Sequence, residues 1–127
     1  MEEFKKLGLS EEILKSLAGQ KFIKPTEVQE KSIPLVLSGK NVIAEAMTGS
    51  GKTLAFGSGI IQNCEKLGII QALVLVPTRE LANQVAMSLR GFSKYKPLNI
   101  VEVFGGVSIM PQMQKLRNAD VVVGTPG

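Results

Sequence analysis

The chain is 127 residues long, 44% hydrophobic and 20% charged, and its 15 Lys and Arg against 11 acids give +4. This fits one soluble globular domain with a modest core, and the charge suits a polyanionic partner without establishing one. The absence of histidine excludes imidazole acid–base chemistry and His metal ligation. A lone cysteine, Cys64, excludes an internal disulfide and points to a reducing, cytoplasmic setting, and no apolar run suggests a membrane span or signal peptide.

Ser10 caps a predicted helix over Glu11 to Leu17, with Glu11 and Glu12 in its first turn and Gly19 as its stop. A second helix starts near Thr26, and Pro34 is expected to break or restart it before Gly39. A buried-type strand, Asn41 to Ala46, leads into a glycine-rich loop and a helix from Lys52 toward Cys64. Ala72 to Val76 reads as the next strand, ended by Pro77, with a helix over Arg79 to Phe92. Ile100 to Phe104 is a further strand, stopped by Gly105-Gly106. A helix over Ile109 to Leu116 and a strand at Val121 to Val123 complete the run. Continuous apolar strands alternating with helices predict an α/β fold, a parallel sheet with helices on both faces. Ligands of such sheets gather beyond the carboxyl ends of the strands. Here every carboxyl end carries loop chemistry: TGSGKT, PTRE, GG and TPG.

The segment Val42 to Thr53, VIAEAMTGSGKT, has the layout of a phosphate-binding loop. Gly49 and Gly51 let the backbone turn tightly and approach an anion without a Cβ in the way. The loop amides of Ala46, Thr48 and Ser50, with the start of the following helix, direct positive dipole at that anion. Lys52 supplies an ammonium for the outer phosphates, and the Thr53 hydroxyl can ligate Mg²⁺. The strict pattern asks for glycine at Ala46, so the spacing alone leaves a glycine-rich strand–helix turn as the alternative. The strand–loop–helix context favours the nucleoside triphosphate.

The succession PTEVQ (Pro25 to Gln29), AMTGSGKT (Ala46 to Thr53), PTRELA (Pro77 to Ala82), Gly105-Gly106 and Thr125-Pro126-Gly127 resembles the front of the first RecA-like domain of a DEAD-box RNA helicase. The resemblance runs from Phe4 to the last residue and makes residues 1–127 part of an N-terminal RecA-like ATP-binding domain. It implies a Q motif at 21–29, where the Gln29 amide reads adenine and so selects ATP over GTP. Phe22 matches the motif's aromatic and Phe4 its upstream aromatic, while core packing would explain either. Thr26-x-x-Gln29 is also a capping box. The sequence departs from the family pattern at Lys21, where glycine is usual, and at Glu27, where proline is common. Alanine at Ala46 is ordinary in that family.

The resemblance further implies that Pro77, Thr78, Arg79, Gly105, Gly106, Thr125, Pro126 and Gly127 hold one RNA strand by its backbone, without reading bases. Thr78 and Arg79 open a helix, so free amides and a guanidinium can meet an anion together. A plain helix cap at Thr78 and a salt bridge from Arg79 to Glu80 are the structural alternatives. Hydrolysis of ATP needs an acid on Mg²⁺ at the carboxyl end of a strand. The sole aspartate, Asp120, precedes its strand and reads as a loop or cap residue. In the resembling family the acidic strand, a further strand and a second RecA-like domain lie downstream. The chain therefore reads as a fragment that stops before the Walker B strand, binding ATP and Mg²⁺ without hydrolysis and leaving sheet edges open to self-association. Gly57 and Gly59 are expected to weaken the helix after the loop by about 1 kcal/mol each relative to Ala. The alternatives are a nucleotide- and RNA-binding piece with no catalysis, or another P-loop helicase-type ATPase.

Overall fold

A computed structural model describes residues 1–127. In chain order it contains α1 (Glu2–Lys5), α2 (Glu11–Gly19), α3 (Glu27–Leu37), α4 (Lys52–Asn63), β1 (Ala72–Leu75), α5 (Arg79–Phe92), β2 (Ile100–Val103), α6 (Ile109–Leu116) and β3 (Val121–Gly124). The strands form a 3-stranded parallel sheet in the order β1-β3-β2. Val121 pairs with Ala72 on one side and Ile100 on the other, so the chain's last strand lies in the middle.

Local chemistry sets most helix starts. Ser10, Thr26 and Thr78 each accept an amide hydrogen bond three residues on, which satisfies one orphan donor of the first turn. The end of α2 differs from expectation. Gly19 stays helical, and Lys21 takes the left-handed conformation at φ 63°. The Phe22 amide reaches Leu17 O at 3.0 Å and the Lys21 amide reaches Ala18 O at 3.2 Å. This is a Schellman stop with lysine at the position glycine prefers. Helix α3 runs through Pro34 instead of breaking there. The Pro34 position is exposed, where solvent can satisfy the carbonyl that loses its partner.

The main core lies on one face of the sheet, where Ile100, Val121 and Val123 meet Leu89 and Phe92 of α5, Leu54 and Ile61 of α4, and Ile13 and Leu17 of α2. On the other face, Leu116 of α6 packs on Val101, Val103 and Val122. That cover does not extend over β1, where Leu73 and Leu75 are each 62% exposed. The expected second layer is therefore partial.

The expected strand over Asn41 to Ala46 does not form. Strands exist by pairing, and the outer edge of β1 has no partner while Ile43 is fully exposed. The glycines of α4 also have another role than a weakness in the helix. A Cβ on Gly59 would collide with Val36 Cγ1 of α3, and one on Gly57 would stand 2.7 Å from Leu89 Cδ2 of α5. They let α4 seat closely between its neighbours.

Candidate functional site

The glycine-rich loop is tied to the start of α3. Thr26 Oγ1 donates to Ser50 O at 2.6 Å, and Gln29 Nε2 donates to Gly51 O at 3.2 Å. Gln29 Oε1 in turn accepts from Thr26 N at 3.0 Å, so the capping box is present and the same amide also holds the loop. Gln29 is 1% exposed. It keeps one N–H and one lone pair beyond these bonds. Gly51 has φ 85°, and a Cβ there would overlap the Gln29 amide nitrogen. Glycine is required at this position for conformation and for space.

Several loop groups are free for an anion. The amides of Gly49, Gly51, Lys52 and Thr53 donate to no protein group, whereas Ser50 N donates to Met47 O at 3.1 Å. Ser50 Oγ is buried without a partner, and the first turn of α4 contains no acid. Lys52 folds back, its Nζ donating to Ala46 O at 2.6 Å. An unsatisfied hydroxyl, outward amides and an uncompensated helix dipole are the features a phosphate complements. For a divalent ion the chain offers the Thr53 hydroxyl here, and no cluster of three acidic or thiol side chains gathers anywhere. A cleft of about 560 Å³ lies between Ser32 of α3 and residues 42–47 of the loop. A larger one of about 710 Å³, lined by Glu2, Lys15 and Tyr95, contains none of these residues.

Phe4 is fully buried and meets Phe22 edge-on at 6.1 Å, and Phe22 meets Phe92 likewise at 6.0 Å. Phe4 thus belongs to the main core, and Phe22 packs against that core. Gln62 fixes the segment joining α1 to α2, donating to Gly8 O and accepting from Ser10 N.

A second cluster forms beyond the carboxyl ends of the strands. Arg79 Nη2 donates to Gly105 O at 3.2 Å, and its guanidinium stands 5.3 Å from the centre of the Phe104 ring. Arg79 makes no ion pair with Glu80. Thr78 Oγ1 accepts from Leu81 N at 3.2 Å, so the cap is real. A Cβ on Gly105 would lie 3.0 Å from the Gly127 carbonyl carbon, and Thr125 N donates to Val103 O at 3.2 Å. The loops at 77–80, 105–106 and 125–127 are therefore neighbours, with Thr78, Arg79, Pro126 and Gly127 exposed. No hydrogen bond links this cluster to the glycine-rich loop; they meet through α4 against α5. The sequence reading missed Phe104 and Gln112, which shape the second cluster. Gln112 offers no sequence signal beyond being polar on a short helix.

Asp120 sits at the amino end of β3, opposite both clusters. Its carboxylate accepts from Leu67 N (3.0 Å), Gly68 N (2.8 Å) and Asn99 N (2.8 Å). Burial pushes its carboxyl up, but the three amides and nearby Lys66 outweigh that and hold it below the usual carboxylate range. Burial pushes the Cys64 thiol up, which disfavours the thiolate.

The three-stranded parallel sheet with its helices defines a protein of the RecA-like α/β class. The family model for DEAD/DEAH box helicases matches residues 26–127, and the chain belongs to that family. It is 45% identical to a probable ATP-dependent RNA helicase of Methanocaldococcus jannaschii over 98% of this chain and 34% of that protein. With the RNA helicase CrhR of Synechocystis it shares 46% identity over 98% of this chain and 25% of that protein. Among solved structures, a DEAD box protein from Methanococcus jannaschii superimposes with a TM-score of 0.94 at 44% identity, covering 98% of this chain and 35% of that one. Saccharomyces cerevisiae Dbp5 bound to RNA and ADP BeF3 gives 0.87 at 34% identity, covering 100% and 32%. The chain thus spans about a third or less of the relatives it matches.

Proposed function

We propose that these residues are the ATP- and RNA-holding front of a DEAD-box RNA helicase, comprising a Q motif at 21–29 and a phosphate loop at 46–53. The observation that carries the reading is the loop itself, with free amides, a buried unpartnered Ser50 hydroxyl and Gln29 braced against Gly51. The free N–H and lone pair of Gln29 match the donor–acceptor edge of adenine. Lys52 exchanges its Ala46 carbonyl for the outer phosphates. Thr53 would hold a Mg²⁺ through its hydroxyl, and the ion would offset the charge of the phosphates. Arg79, the Gly105-Gly106 turn and the Thr125 hydroxyl hold an RNA strand by phosphate and ribose, independent of base sequence.

These residues hold ATP without hydrolysing it, because Asp120 serves the amino edge of the sheet and neither Glu27 nor Glu45, the acids lining the cleft at the loop, follows the carboxyl end of a strand. The rest of the reaction belongs to acidic and second-domain residues of the longer, cytoplasmic helicase. The open edge of β1 and exposed Leu73 and Leu75 favour self-association of this chain alone.

Calorimetric titration with ATP and GTP tests the reading. ATP binds in preference to GTP, Lys52→Ala weakens it by roughly tenfold or more, and Gln29→Ala erodes the preference. Equal binding of GTP with no effect of Gln29→Ala would remove the Q-motif assignment in favour of another P-loop ATPase. RNA-stimulated turnover that Lys52→Ala abolishes would overturn holding without hydrolysis.

A further inference from the structure

Where β2 ends, its ladder leaves Phe104 with an amide and a carbonyl to satisfy, just before two glycines. Gln112 of α6 takes both. Its Oε1 accepts from Phe104 N at 2.7 Å and its Nε2 donates to Phe104 O at 3.2 Å. The same Nε2 donates to Ser108 O at 3.1 Å, closing the turn from 104 to 108. One half-buried side chain thus acts as the missing strand partner and fixes the entry and exit of the Gly105-Gly106 turn. Gly106 in that turn has φ 78°, and a Cβ on it would stand 3.5 Å from Arg79 Nη2.

The turn in turn holds Arg79. The guanidinium faces the Phe104 ring and spends one N–H on Gly105 O. Arg79 is exposed, so its remaining donors are open to solvent. An arginine with no carboxylate partner would otherwise sample many rotamers, at an entropic cost on meeting an anion. Ring and carbonyl reduce that freedom, and both are located by Gln112. We propose that Gln112 is a positioning residue for RNA binding, acting through Phe104 and Gly105 to preorganise Arg79 for a backbone phosphate. The inference rests on the reading of Arg79 as a phosphate contact, and the experiment separates the two.

Binding of a fluorescein-labelled oligouridylate is followed by anisotropy across a KCl series for the wild-type chain, Arg79→Ala, Gln112→Met and the double variant. Methionine keeps the length of the side chain and removes its hydrogen bonds. Arg79→Ala weakens binding and lowers the slope of log K against log salt by roughly 0.7 to 1. Gln112→Met weakens binding by about threefold to tenfold, and the double variant is no weaker than Arg79→Ala alone. Phe104→Leu, which leaves the backbone bonds to Gln112 in place, shows a smaller loss that is also absent in the Arg79→Ala background. It serves as the test if Gln112→Met does not fold. A general loss of structure would add to the Arg79→Ala effect rather than vanish within it. Losses that add, or binding unchanged by Gln112→Met while Arg79→Ala weakens it, overturn the positioning role and leave the phosphate contact standing. If Arg79→Ala changes neither affinity nor salt slope, the phosphate contact falls and this inference with it.

Discussion

Replacing Asp120 by alanine separates a structural carboxylate from a catalytic one. The side chain is fully buried and accepts three backbone amides, from the loop before β1 and from the residue before β2. It therefore joins the amino ends of all the strands. Alanine strands those donors, and each unsatisfied amide costs about 1 to 3 kcal/mol, the low end applying where water can enter. Leu67 is 63% exposed, so the two loop amides regain water, while Asn99 lies against the sheet. The expected loss is about 3 kcal/mol. Chains of this length have roughly 6 to 19 kcal/mol in total, so the loss is substantial. The carboxyl's folded pKa lies below its ordinary value of 3.8, so its stabilisation is complete above about pH 5 and fades as pH falls through the folded value. Urea melts of wild type and Asp120→Asn, run from neutral to acid pH, should differ by a constant amount down to about pH 5 and converge below the ordinary carboxylate value. Nucleotide affinity per folded molecule stays unchanged in both variants. A destabilisation under about 1 kcal/mol, or a gap that widens in acid, would refute the clamp.

The other expectations concern backbone and packing. Gly59→Ala gains about 1 kcal/mol of helix propensity but overpacks against β-branched Val36 at about 1 to 3 kcal/mol, so a net loss near 1 kcal/mol is expected in urea melts. A gain would mean that α3 and α4 can separate freely. Lys21→Gly relieves the left-handed strain and raises stability by roughly 0.5 kcal/mol after the unfolded-state entropy of glycine is counted; an unchanged or lower midpoint contradicts the Schellman stop. Sedimentation should show self-association that weakens in Leu73→Lys, and a strict monomer at all concentrations would dismiss the open edge as its cause. Cys64 should react with iodoacetamide only at the rate of unfolding, so rapid native labelling would contradict its burial.

Much of the candidate site was readable because its signals are short-range. Gly49, Gly51, Lys52 and Thr53 stand together in sequence, and Thr26 with Gln29 forms a cap within a single turn. The end of α2 was misplaced because a Schellman stop depends on φ at one residue, and lysine conceals what glycine would advertise. The second cluster was readable only as separate loops. That Arg79 lies against Gly105, and Gly105 against Gly127, depends on β3 inserting between β1 and β2.

The sequence by itself determined the alternation of elements, the caps at Ser10, Thr26 and Thr78, and the chemistry of the glycine-rich loop. These follow from hydrogen bonds and periodicities spanning a few residues. Only the tertiary structure decided that 41–46 is not a strand, that Gly57 and Gly59 are contact points, that Gln29 braces Gly51, and that Gln112 sets the turn beneath Arg79. Each of those outcomes depends on groups distant in sequence, whose presence or absence no local pattern records.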